Sequence, residues 1–269
     1  ELAAGLGPGA APDAGRGAAP DADRGAVPGV GRGGAPASAR PDPGPLAELA
    51  DLLTLSGIAM GVAGSTAPAS GMEHAVSHLL EMAAAARGQP ASFHGTQVGV
   101  ASIVAARTWA HVLRRVAGGG LGRPARLPDP DAVRDRIVRA FAAVDPDGAM
   151  AAECFTDYAR KLRRLGSGGD PGGPLAALRA SWPAHRDVLD DMLIDPAALA
   201  GGLRAAGLPT RFCDLPEPVD DETARWAVAN CALQRQRFGV ADLAMLIGAW
   251  EDADVDEVLA GVTSAAGPP

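Results

Sequence analysis

Ser70 and Glu73 stand at the head of an apolar run in the S-x-x-E spacing of a capping box, in which each side chain satisfies an orphan amide of a helix's first turn. That spacing predicts a helix over residues 71–81. On it His74 and His78, four apart, share one face, and Glu81 falls on the same face three residues further on. After a turn containing Gly88 and Pro90, His94 and Gly95 open a second apolar helix that reads as continuous to Ala117. Residues 64–100 thereby hold three of the five histidines, in an alanine- and leucine-rich background where nothing else looks reactive. Neutral imidazole is a common ligand for zinc or iron. Two helices can therefore present His74 and His94 to one divalent ion, with His78 beside it. The same spacing also suits a partly buried helix face, and a histidine at a helix start also serves as a cap or a surface residue. Two histidines fall short of the three protein ligands usual at a catalytic zinc.

The rest of the chain favours helices. Hydrophobic residues make up 47% of it and aromatics only 4%, so alanine supplies much of the apolar count, as close-packed helices prefer. No segment alternates like a run of buried strands, and no GxGxxG follows a strand. The expected class is all-α. Helices are predicted over residues 46–55, with Gly57 as a stop signal, and over 131–144, 148–165, 196–206, 222–233, 240–247 and 255–261. Residues 118–122 and 166–174 read as loops. The second, GSGGDPGGP, lacks the GK[ST] ending and preceding strand of a phosphate-binding loop. Arg134, Arg136, Arg139, Arg160, Lys161, Arg163 and Arg164 read as solvated helix faces. His111 lies mid-helix with no matching partner, and His185 reads as an ordinary surface histidine or one that backs a site from behind.

Residues 1–44 are different material. From Gly9 to Arg40 they form four tandem octads, GAAPDAGR, GAAPDADR, GAVPGVGR and GGAPASAR, with no large apolar residue to offset the entropy of ordering. They read as a disordered linker or a repeat expansion within a loop. The expected organisation is thus a low-complexity segment over 1–44 and a helical domain over 45–269. A net charge of −8 and a pI near 5.1 argue against a nucleic-acid partner. No apolar run reads as approaching membrane length, so no membrane span is expected. Cys154, Cys213 and Cys231, odd in number and without CxxC, read as buried free thiols in a reducing cytoplasm.

The run SGIAMGVAGSTAPASGMEHAVSHLLE followed by HGTQVGV resembles the helical-domain signature of the sn-glycerol-1-phosphate dehydrogenases. That family sits within the superfamily of iron-containing alcohol dehydrogenases and 3-dehydroquinate synthases. WPAHRDVLDDMLIDPAALAGGLRAAGLPT and RQRFGVADLAMLIGAW resemble its C-terminal helices, so the likeness covers most of residues 46–259. It implies a helical bundle of the dehydroquinate synthase-like fold, with His74 and His94 as metal ligands and His78 contacting the substrate. It also implies a divalent metal (zinc first, iron or nickel as alternatives) and a phosphorylated small-molecule substrate. The nicotinamide cofactor, NAD(P), would be bound by an N-terminal α/β domain apparently missing here, and a homo-oligomer is compatible with the pattern. Ala67 stands where the family often has arginine before PASG, so that phosphate contact is not carried over. The family's third ligand, an aspartate in a GD context, has no counterpart: Asp42 and Asp51 lack that context. Arg235 and Arg237, at the family's R-x-R pair, read as structural. The expected function is a metal-dependent NAD(P)-linked oxidoreductase acting on dihydroxyacetone phosphate or glycerol 1-phosphate, present as its helical half. Two rivals stand beside it: a cyclising synthase of the dehydroquinate type, and an inactive helical remnant or interaction module.

Overall fold

The computed structural model describes residues 43–117, 121, 127–166 and 174–265. The octads, and most of the predicted loops at 118–122 and 166–174, lie outside the described residues. The chain divides into Glu1–Ala47 and Glu48–Pro269; of the first unit only the start of one helix is described. Ten α-helices occur among the described residues, and no strand does. They are α1 (Pro43–Ala63), α2 (Met72–Ala86), α3 (His94–Ala117), α4 (Pro130–Phe141) and α5 (Ala149–Leu165). After these come α6 (Pro174–Met192), α7 (Pro196–Ala205), α8 (Asp221–Asn230), α9 (Val240–Leu246) and α10 (Asp252–Ala265).

Local chemistry explains the helix starts. Asp129 and Asp195 each precede a proline at the first helical position, where a missing N–H costs nothing. The Oδ1 of Asp129 accepts from the amides of Asp131 and Ala132, and that of Asp195 from Ala197 and Ala198. Asp220 caps α8 through the Thr223 amide at 2.7 Å. At α2 the predicted box is only half formed. Glu73 reaches back to the Gly71 amide at 2.7 Å, but Gly71 is the N-cap and Ser70 caps nothing. Gly57 does not stop α1, which continues to Ala63, and α6 runs through Pro183 where no helix was predicted.

The core is mostly aliphatic. Val76, Leu79 and Leu80 of α2 meet Val100, Ile103 and Val104 of α3, all close to fully buried. Helix α3 also packs against α7, α9 and α10. Helices α4 and α5 pair through Val133, Ile137, Phe141, Cys154 and Tyr158. Trp226 of α8 packs edge-on against Phe141 and donates its indole N–H to the Ala140 carbonyl at 2.6 Å.

Three expectations fail, for physical reasons. Lys161 is buried, not solvated: its ammonium donates to Asp242 at 2.6 Å and to the Ala232 carbonyl at 2.7 Å. Burial pulls the Lys161 pKa down and that of Asp242 up, against their mutual attraction. His111 has partners: it is buried, with Nε2 3.0 Å from Asp254 and Nδ1 3.5 Å from Glu257, so it joins α3 to α10. Of the thiols, Cys154 and Cys231 are buried, and burial raises them to about 11 and about 12, but Cys213 is exposed.

Helix α1 contradicts the expectation that no apolar run approaches membrane length. Its residues Leu46–Ala63 are long and apolar enough by length and composition to cross a membrane. Within Glu48–Pro269 the α1 side chains are solvent-facing, with Leu52 64% and Val62 86% exposed.

Asp242→Asn or Lys161→Met should each destabilise the fold by about 3–5 kcal/mol, because one buried charge is left unpaired. Replacing both with apolar residues should recover most of that loss, as urea unfolding would show. Asp220→Ala should cost about 1 kcal/mol. The Thr223 amide bond holds the Asp220 carboxyl below its ordinary 3.8 in the folded chain. Its contribution is therefore full above that ordinary value and lost as pH falls through the lowered one. Unfolding curves of variant and parent should converge in acid.

Candidate metal centre

Helices α2 and α3 bring all three predicted histidines together. The ring centroid of His94 lies 5.2 Å from that of His74 and 5.0 Å from that of His78. One turn of α2 carries His74 and His78, and the first residue of α3 is His94. The seam between the helices sets their approach. Ser77, fully buried, donates to the Gln97 side chain at 2.8 Å, and its oxygen lies 3.0 Å from His94 Nδ1. Gln97 is itself buried and donates to the Ser92 carbonyl at 3.2 Å, tying the turn before α3 to the same network. Ser92 Oγ in turn accepts the Glu217 amide at 2.8 Å.

A carboxylate stands behind each ring. Glu81 places one oxygen 2.8 Å from His94 Nδ1 and the other 3.2 Å from His78 Nδ1. Glu73 lies 3.0 Å from His74 Nδ1. An ionised carboxylate only accepts, so in each neutral imidazole the proton sits on Nδ1 and the Nε2 lone pair is left for another partner. Backing a ligating imidazole with a carboxylate in this way fixes its tautomer and raises its basicity. Gly71 leaves room for the Glu73 carboxylate. A Cβ there would fall 2.7 Å from the Glu73 carboxylate, which folds over the Gly71 amide while reaching His74.

The donor atoms of His78, Glu81 and His94 all lie within 4.8 Å of one another, close enough for one ion to gather them. The set is imidazole nitrogen plus carboxylate oxygen, which suits zinc, iron or nickel. The centre is partly open, with His78 38% and His94 39% exposed at their side chains, so a ligand can reach it. Sequence reading placed Glu81 on the right face but gave it no role. The signal was there in the i, i+3 spacing from His78; its second partner, His94, lies on another helix.

A cavity of about 360 Å³ adjoins the centre, bounded by His78 and Ser70 on one side and by Asp157, Arg235, Arg237 and Asp242 on the other. Arg237 donates to the Ser70 carbonyl at 3.2 Å and to Thr66 Oγ1, bracing the loop before α2. Arg235 makes no hydrogen bond or ion pair among the described residues. His185 is exposed on α6 and takes no part.

Comparison with known proteins points one way. Over 128 residues, 40% of this chain and 36% of the relative, the chain is 34% identical to glycerol-1-phosphate dehydrogenase [NAD(P)+] of Haloquadratum walsbyi. It is 54% identical over 52 residues to that of Halorubrum lacusprofundi, covering 19% of this chain and 14% of the relative. Over 157 residues, 58% of this chain and 31% of the relative, it is 32% identical to that of Bacillus licheniformis. The chain is homologous to glycerol-1-phosphate dehydrogenases over these stretches, and they span at most 36% of the relatives' length. No family model matches the chain. No solved structure matches it either.

Glu81→Gln leaves an amide that accepts at one atom and donates at the other. One of the two rings, His78 or His94, should then lose its acceptor at Nδ1 and move its proton to Nε2. Long-range ¹⁵N NMR of the neutral imidazoles should show that tautomer change in one ring while His74, backed by Glu73, keeps its own.

Proposed function

We propose that this chain is the helical, metal- and substrate-binding part of an NAD(P)-linked oxidoreductase that interconverts dihydroxyacetone phosphate and glycerol 1-phosphate. The observation that carries the reading is the three-histidine cluster backed by Glu73 and Glu81, in a stretch similar to proteins named for that activity. His74 and His94 would hold a divalent metal, zinc first, through Nε2, with Glu73 and Glu81 setting their tautomers. Such an ion supplies Lewis acidity toward the substrate's oxygen. The nicotinamide supplies the hydride chemistry and would be bound by polypeptide other than the described residues.

The chain's own residues would position and shield. His78 faces both the cluster and the cavity, so its Nε2 can hydrogen-bond the substrate hydroxyl or take its proton. The apolar Met72 and Ala75 line the same cavity and restrict water there. The loop at Ala67, Ser70 and Gly71 presents backbone to the bound molecule, where small side chains allow close approach.

A second ligand set has its own support, since the donor atoms of His78, Glu81 and His94 already lie within 4.8 Å of one another. In that set Glu81 is the carboxylate ligand and His74 stands outside. Metal content of single variants separates the two. Under the first, His74→Ala and His94→Ala should abolish zinc binding, and Glu81→Gln should weaken it by about 10–100-fold. Retention of zinc by His74→Ala, with loss in His78→Ala and Glu81→Gln, would establish the second. Normal zinc content and turnover in the His74→Ala, His94→Ala double variant of the complete enzyme would reject the metal-dependent reading.

A further inference from the structure

We infer that Arg235 is an anion subsite that takes the phosphate end of the ligand whose other end meets His78; the inference rests on the substrate reading above. The cavity lies between α2 and the loop that carries Arg235, Gln236, Arg237 and Phe238 into α9. At about 360 Å³ it falls at the small end of the usual range for small-molecule sites, as suits a three-carbon phosphate.

Its charge balance decides the sign of the ligand. Two carboxylates line it, and both are engaged. Asp242 is bonded to Lys161 at 2.6 Å, and Asp157 accepts from Arg160 at 3.0 Å. Two guanidiniums line it as well. Arg237 bonds only neutral oxygens, the Ser70 carbonyl and Thr66 Oγ1, so its charge is not cancelled. Arg235 bonds nothing among the described residues. A guanidinium held near a second one, with no carboxylate partner, suits a phosphate, whose oxygens match its planar fork of donors. Ala67 lines the same cavity.

The loop is anchored independently of Arg235. Arg237 ties it to the segment before α2, Asp242 accepts the Gly239 amide at 2.9 Å, and Leu233 is fully buried at its start. Arg235 itself is exposed, so its replacement should leave the fold intact. Both conditions are what a ligand-contacting side chain on a fixed loop requires.

The test is binding of sn-glycerol 1-phosphate, glycerol and inorganic phosphate to the whole chain, with zinc present, in the parent, Arg235→Gln and Arg235→Lys. Side-chain NMR follows Arg235 Nε and the His78 ring, and thermal unfolding verifies each variant's fold. Inorganic phosphate and glycerol 1-phosphate should both shift Arg235. Arg235→Gln should weaken both by about ten- to a hundredfold, as expected for losing a charged hydrogen bond. Glycerol binding should not change, and Arg235→Lys should fall between. Equal affinity of Arg235→Gln and parent for glycerol 1-phosphate would overturn the subsite. If inorganic phosphate shifts Arg235 but glycerol 1-phosphate leaves the His78 ring unmoved, the subsite stands and the dehydrogenase reading fails.

Discussion

A buried serine holds the candidate centre together. Ser77 lies between α2 and α3, gives its proton to Gln97 and offers its oxygen to His94 Nδ1. A hydroxyl in that position would be costly without partners, since burying an unpaired polar group forfeits its hydration. Because both its capacities are met across the seam, the two helices have one favoured register. That register puts His94 within about 5 Å of both α2 histidines and within reach of Glu81. The surrounding contacts are Val, Leu, Ile and Ala, which fit many registers nearly as well. Polar pairing across the seam adds specificity to this aliphatic contact.

A second buried polar pair does the same on the far wall of the cavity. Lys161 and Asp242 lock α5 to α9 while Lys161 also takes the Ala232 carbonyl and Asp242 the Gly239 amide. The loop between Ala232 and Gly239 is thereby fastened at both ends. It is this loop that carries Arg235 and Arg237 toward the histidines. A buried ion pair is weak evidence for stability as such. Here its geometric effect matters more: it keeps two carboxylate-free guanidiniums in a cavity whose acidic neighbours are already engaged. Under the proposed reading, one wall positions the reacting end of a triose phosphate and the other its charged end.

The chain supplies chemistry of one kind. Its described helices and the loop before α9 gather imidazole, carboxylate and guanidinium groups around one cavity, and no strand is found among the described residues to build a dinucleotide site on a sheet edge. The stretches matched to glycerol-1-phosphate dehydrogenases cover at most 36% of those relatives. Helix α1 carries Glu48 and Asp51 near its start, followed by a long apolar run, and is largely solvent-facing over its described residues beyond Ala47.

Much of this was legible in the sequence. The 3.6-residue periodicity, the aspartate–proline starts and the alanine-rich, aromatic-poor composition determine an all-helical fold, because these signals act within one or two turns of chain. The bounds of α3, α5, α7 and α9 come within a residue or so of the expected ones for that reason. The i, i+4 spacing of His74 and His78 and the helix start at His94 were equally local. What the sequence could not determine were pairings across distance. Lys161 sits in a run of basic residues that reads as a solvated face, and only its meeting with Asp242, 81 positions away, makes burial tolerable. His111 finds Asp254 143 positions away. Glu81 is tied to His94 across a turn whose closure no spacing rule fixes. Arg235 and Arg237 look alike in sequence and both line the cavity, yet only Arg237 is tied to the loop before α2. Periodicity is a property of neighbours along the chain. The partner that decides whether a charge is solvated, buried or free is chosen by tertiary packing.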